Sequence, residues 1–131
     1  MHLPDFKHIA FDADHGVWLG SLSSALRWSP SQFDTVWASH PVGFHQVRIF
    51  GNLVDVPRWS ETYGRDYPFA GTTQLARPVP DDLAPLLDWS KAHIDARYNG
   101  LLLNWYDGAL GHYIGRHRDD EKGAIRWYPG L

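Results

Sequence analysis

NWYDGALGHYIGRHRDDE, residues 104–121, is the stretch on which the reading turns. It opens on the end of an apolar run, Leu101, Leu102 and Leu103, that reads as a buried strand continuing to Tyr106. Asp107-Gly108 then signals a turn, and residues 112–114 form a short strand candidate leading into His117. His117-Arg118-Asp119 is an H-x-D. On extended backbone, side chains two apart point to one face, so an imidazole and a carboxylate project together. Such a pair can supply two ligands to a divalent metal, and one more His would complete the facial triad of non-haem iron oxygenases. By itself the tripeptide is a weak signal in a chain with 8 His, because a solvated turn carries the same residues. It also spells the HRD of a kinase catalytic loop, but that motif needs an Asn where this chain has Ala124, and no Gly-rich phosphate loop lies upstream.

Working outward, residues 83–98 predict the clearest helix. Asp82 is placed at its N-cap, Pro85 sits in the first turn, and Leu83, Leu86, Leu87, Ile94 and Tyr98 form one apolar stripe ended by Asn99-Gly100. FHQVRIF (44–50) alternates apolar and polar residues with one break. With a turn at Gly51-Asn52 and LVDV (53–56) returning, it predicts a β-hairpin. Residues 59–71 are turn-rich and aromatic without a clear period. SQFDTVWAS (31–39) spaces Phe33, Val36 and Trp37 as on a helix, which His40-Pro41 ends. VWL (17–19) is a short apolar segment. Helices plus antiparallel strands make the fold class α+β.

At 131 residues the chain is one domain at most, and 44% hydrophobic with 21% charged residues is a globular composition. The absence of Cys excludes disulfides, thiolate zinc sites and a catalytic thiol. No signal peptide and no apolar run long enough for a membrane helix is visible, so a cytoplasmic protein with no membrane partner is expected. A net charge of −3 and a pI near 6.2 weaken nucleic-acid binding for the chain as a whole, without excluding a local basic strip. The 7 Trp read first as packing residues.

Two blocks together resemble the AlkB-like Fe(II)/2-oxoglutarate-dependent dioxygenases. One is N-x-Y at 104–106, the Asp107-Gly108 turn, HYIG at 112–115 and H-x-D-D-E at 117–121. The other is VPRWSETYG (56–64), similar to the family's P-R-x-x-x-x-Y-G, followed by YPFAG (67–71). The resemblance covers about 44–120. It implies the N-terminal portion of a double-stranded β-helix, a jelly-roll-like fold, divided as an N-terminal extension (1–43), hairpin and lid (44–71), a helix (82–98) and core strands (101–120). It also implies that His117 and Asp119 are iron ligands and that Asn104 and Tyr106 contact 2-oxoglutarate from one strand face. Arg58, Tyr63 and Tyr67 would line a substrate lid. The reaction implied couples decarboxylation of 2-oxoglutarate by O₂ to hydroxylation of a C–H bond. A hydroxylated N-methyl group then leaves as formaldehyde. Substrates would be alkylated nucleic-acid bases, as in DNA repair, or methylated protein side chains.

The family pattern continues to a distal His and Arg residues that this sequence lacks, and the chain is therefore expected to be a truncated, inactive or impaired product. RWYPGL (126–131), back-translated and read two bases later, gives VVPGS, which is similar to the family's continuation and suggests a frameshift near residue 122. His112 is no obvious substitute for the third ligand. Two other readings stand beside this one: a non-catalytic remnant binding nucleic acid or protein, and a zinc-dependent hydrolase using His117 and Asp119.

Overall fold

Ser29 begins the first helix through a capping box. Its hydroxyl accepts the Gln32 backbone N–H while the Gln32 side chain accepts the Ser29 N–H, and Pro30 follows where its missing N–H costs nothing. In the computed structural model, which describes residues 6–117, this helix, α1, spans Pro30–Ala38. Before it comes an antiparallel hairpin of β1 (Phe6–Ala10) and β2 (Gly16–Gly20), which includes the apolar Val17, Trp18 and Leu19.

The expected hairpin at 44–56 is present as β3 (Gln46–Ile49) and β4 (Asn52–Asp55), with its turn one residue earlier than read. Ile49 pairs with Asn52, so the loop is Phe50-Gly51, and both have positive φ, 48° and 83°. Two positive φ values are what a tight I′-type hairpin turn demands, and Asn-Gly usually supplies them. Taking Gly51-Asn52 as the turn put the Gly one position too early.

The stretch 59–71 hides a core strand. β5 (Trp59–Tyr63) pairs antiparallel with β8 (Leu101–Trp105), and a short hairpin of β6 (Tyr67–Phe69) and β7 (Thr72–Gln74) follows it. Ser60, Glu61 and Thr62 are buried, which is why no hydrophobic period marks the strand. Each has a partner: Arg77 Nε lies 3.2 Å from Glu61, Thr62 donates to the Arg65 carbonyl at 2.8 Å, and Gln74 Nε2 donates to the Ser60 carbonyl at 2.7 Å.

The helix expected over 83–98 is shorter, α2 at Ala84–His93, and it has no Asp82 cap; Leu83 occupies that position without a side-chain hydrogen bond. The Asp82 carbonyl instead accepts the indole N–H of Trp28 at 3.1 Å. Beyond the helix, the Asp95 carboxylate takes the Arg97 backbone N–H at 2.9 Å and its guanidinium at 2.6 Å, a local turn that outcompetes a further helical turn. Ile94 is consequently 38% exposed. Residues 112–114 form no strand; a 3₁₀ turn, Gly108–Leu110, precedes them.

Tyr63, Leu83 and Trp105 make the buried core, packed around by Trp28, Trp37, Trp59, Val79, Leu101 and Leu103. Trp105 donates its indole N–H to the Val36 carbonyl at 3.0 Å, which pins α1 to β8. Trp28 and Trp105 act as packing groups with one polar tether each. Two helices and four antiparallel strand pairs among the described residues make an α+β fold compatible with part of a jelly roll.

Candidate functional site

Side chains alternate across the β5–β8 pair, and that alternation creates the site. Ser60 stands opposite Asn104 and Thr62 opposite Leu102. Trp59, Tyr63, Leu101, Leu103 and Trp105 fill the core on one face, while Arg58, Ser60, Leu102 and Asn104 line a cavity of about 340 Å³ on the other. His45, Tyr67, Gln74, Arg116 and His117 complete its polar lining, with Val56, Phe69 and Ile114 as apolar walls. Arg58 donates from Nε to the Asn104 side-chain carbonyl at 3.0 Å, locking the amide's orientation across the two strands.

The segment that brings His117 here is tethered at its base. The Tyr113 backbone N–H donates to the Pro57 carbonyl at 2.9 Å. Before it, the Asp107 N–H donates to His112 Nδ1 at 3.1 Å, which places the His112 proton on Nε2. That Nε2 is buried without a hydrogen-bond partner, its ring standing edge-on to Trp59 at 4.6 Å and Phe44 at 5.4 Å. Trp59 is further stacked on His40 at 3.7 Å. Nothing in this arrangement aims His112 at the cavity.

His117 donates from Nδ1 to the Gly115 carbonyl at 2.9 Å. A backbone carbonyl on Nδ1 leaves the lone pair on Nε2, the tautomer a metal-ligating imidazole requires. Asp119 and residues 118–131 lie outside the described residues. Among the described residues no three His, Asp or Glu side chains group tightly enough to hold a metal ion. His117 is thus the one expected ligand whose surroundings are seen.

The remaining expected site residues divide. Asn104, Arg58 and Tyr67 share the cavity with His117. Tyr106 does not line it. β8 ends at Trp105, so the two-residue period no longer applies, and Tyr106 borders a second cavity of about 300 Å³ with Trp28, Phe33, Trp37 and Asn104. Tyr63, read as a lid residue, is 5% exposed in the core, because odd-numbered β5 positions face inward. Burial pushes its hydroxyl pKa up, and the charge of Glu61 adds to this.

Four cavity residues escaped the sequence reading: His45, Ser60, Gln74 and Arg116. Two of them carried a signal. Ser60 lies in β5 two residues after Arg58, and His45 is two from the buried Val47. Burial lowers the His45 pKa below its ordinary value, and the nearby Arg58 guanidinium lowers it further. Among the described residues two Arg and no Asp or Glu line the cavity. Among the described residues no helix is long and apolar enough to cross a membrane.

No protein-family model matches the chain. It is similar to proteins named DNA oxidative demethylase ALKBH2. The match to the Homo sapiens protein is 35% identical over 80 residues, covering 59% of this chain and 30% of that protein. That to the Mus musculus protein is 27% identical over 125 residues, covering 91% and 51%, and that to the Bos taurus protein is 35% over 80 residues, covering 59% and 28%. The chain therefore spans about half or less of the length of these curated relatives. This similarity, at 27–35% identity, supports an AlkB-like relationship for the chain.

Proposed function

We propose that the chain is part of an Fe(II)/2-oxoglutarate-dependent dioxygenase of the AlkB type that oxidatively dealkylates bases in nucleic acid. The observation that carries this reading is the single cavity shared by His117, Asn104 and Arg58, with cationic and polar walls among the described residues. On this reading the cavity belongs to a double-stranded β-helix, His117 and Asp119 would hold the iron, and Asn104 would hydrogen-bond 2-oxoglutarate. His117 fits the role chemically, since its Nδ1–H is engaged by a carbonyl and Nε2 carries the lone pair. Bound iron and 2-oxoglutarate supply the oxidising power; the chain's own groups bind, orient and exclude water. Arg58 holds the Asn104 amide in one orientation, so that the amide is presented without rearrangement.

Nucleic acid is favoured over a methylated protein by two features. Two Arg line the cavity, and the β3–β4 hairpin ends in a fully exposed Phe50 held at φ 48°. A bulky residue in left-handed backbone at a tip costs folding energy, and an apolar wedge at such a tip suits insertion into a base stack. The flat aromatic pair Tyr67 and Phe69, 5.9 Å apart at 16°, lines the same cavity into which a flipped base would enter.

Mn(II), a redox-silent stand-in for iron, tests the metal half by paramagnetic resonance titration. Wild-type chain is expected to bind it and His117→Ala to lose most of that affinity. The nucleic-acid half is tested by anisotropy with a methylated single-stranded oligonucleotide. Metal binding unchanged by His117→Ala, together with no oligonucleotide binding, would overturn the proposal.

A further inference from the structure

The β1–β2 hairpin has no part in the roles above, and its second strand lies open. All five residues of β2, Gly16–Gly20, are exposed, and Val17, Trp18 and Leu19 among them are large and apolar, at 44%, 39% and 63% exposure. A bare strand edge is a template for a further strand, and proteins ordinarily blunt such edges with charged residues or Pro. β1 has Lys7 and His8, whereas β2 has neither a charge nor a Pro. Among the described residues β2 pairs with β1 alone, and Phe6, stacked on Trp89 at 6.0 Å, fastens the hairpin to α2 at its open end.

The hydrogen-bond phase of the hairpin decides which groups this edge offers. The Phe11 N–H donates to the His15 carbonyl at 2.8 Å, just beyond the Ala10–Gly16 pair. Hydrogen-bonded and non-hydrogen-bonded pairs alternate along an antiparallel ladder, so Ala10–Gly16, His8–Trp18 and Phe6–Gly20 are the non-hydrogen-bonded ones. The backbone N–H and C=O groups of Gly16, Trp18 and Gly20 therefore point away from β1. That set is symmetric about Trp18. A second β2, laid antiparallel across a two-fold axis at Trp18, sets Trp18 against Trp18 and Gly16 against Gly20, and each pair can exchange both bonds. The same register sets Val17 beside Leu19 of the second copy, on the opposite face from Trp18, as close apolar pairs. No charged side chain lies between Gly16 and Gly20, so no like charges meet across the axis. The outer edge of β1, joined in the same way, would set His8 against His8 with a Lys7 on either side.

We infer that β2 is a self-association edge, through which two copies of this chain join about Trp18 into a four-stranded sheet ordered β1-β2-β2-β1. The pairing needs neither metal nor nucleic acid and stands independently of the reading above. Five residues a side is far below the roughly 20–30 a side of a stable interface, so the dimer is weak and reversible.

Sedimentation equilibrium of the full chain tests this. Wild-type mass is expected to rise with concentration from 15.0 kDa toward twice that value. Val17→Glu with Leu19→Glu sets like charges against each other at every Val17–Leu19 contact, and so does Val17→Lys with Leu19→Lys. Each double variant should dimerise about tenfold more weakly than wild type, or weaker still. Mixed in equal amounts, the two variants present opposite charges at those contacts and should associate again. Both positions are exposed, and circular dichroism verifies that the variants fold. A second probe uses the absence of Cys from the chain. Trp18→Cys would put two thiols on residues whose Cα atoms stand about 5.5 Å apart, within disulfide reach, and mild oxidation should give a covalent dimer. Leu53→Cys, at an exposed position on the other hairpin, should not. A wild-type chain that stays monomeric at all concentrations overturns the inference, as does a dimer that both folded double variants retain. Failure of the mixture to recover, or equal cross-linking through both thiols, overturns the register about Trp18 and the inference with it.

Discussion

The β5–β8 pair and the β3–β4 hairpin are both two-stranded and antiparallel, yet they are built on opposite terms. In β5–β8 every position but Leu102 is buried or half-buried. One face packs Trp59, Tyr63, Leu101, Leu103 and Trp105, and the other carries the cavity groups Ser60, Leu102 and Asn104. In β3–β4 only Val47 is buried, Ile49, Leu53 and Val54 are exposed, and the turn forces a Phe into left-handed backbone. The first pair is held by burial, and its geometry is therefore reliable to within the packing of its side chains. The second is attached at its flank, through the Arg48 N–H to the Ala70 carbonyl at 3.0 Å, and through Thr72. A rigid pair sets the cavity, and a lightly held arm stands beside it.

The largest expected effect breaks the rigid pair. Trp105→Ala removes a side chain 4% exposed and its hydrogen bond to α1, and should cost about 3–5 kcal/mol in urea unfolding. A loss below about 1 kcal/mol would mean that β8 is not the organising strand. Next, Arg77→Ala leaves the carboxylate of Glu61, 8% exposed, without its cation. The Arg side chain is 67% exposed, so the expected loss is about 1–2 kcal/mol rather than that of a fully buried pair. The double change with Glu61→Gln should recover part of it, and strict additivity in that cycle would dismiss the pair as a stabilising unit.

The hairpin should respond with opposite signs. Phe50→Asn supplies the residue the turn prefers and should raise stability by up to about 1 kcal/mol. The same change should weaken binding of a methylated oligonucleotide about tenfold, the worth of one lost stacking contact. Unchanged binding would remove the hairpin from the interface.

The smallest effect is a pH slope. His45 has a folded pKa below that of the unfolded chain, so as pH falls through about 6.5 the unfolded state takes up the proton first. Its contribution to stability is complete above that pH and shrinks as pH drops toward the lowered value. His45→Phe should flatten this part of the stability profile, and a slope that persists unchanged would assign it to other groups.

What the sequence disclosed follows the same division. β8 was readable because Leu101, Leu102 and Leu103 form an apolar run and Asn99-Gly100 marks its start. α1 was readable from the spacing of Val36 and Trp37 behind Pro30. β5 was not, because Ser60, Glu61 and Thr62 are buried through hydrogen bonds and an ion pair that sequence periodicity does not register. The helix at 84–93 was drawn too long because Ile94 and Tyr98 continue the apolar stripe, while the Asp95–Arg97 interaction that ends it is a local polar contact. At the site, alternation correctly grouped residues only while the strand lasted. It serves Asn104, stops before Tyr106, and turns Tyr63 away from the cavity that Arg58 faces.

The buried Nε2–H of His112 has a consequence for how the molecule breathes. A donor stripped of water with only ring faces beside it forfeits about 1–3 kcal/mol, so the aromatic nest of Trp59, Phe44 and His112 is where entering solvent gains most. The segment leading to His117 departs from the rim of that nest, at the Tyr113–Pro57 tether. Dryness at this corner and the aim of the imidazole at residue 117 are accordingly one property: whatever wets the first loosens the second.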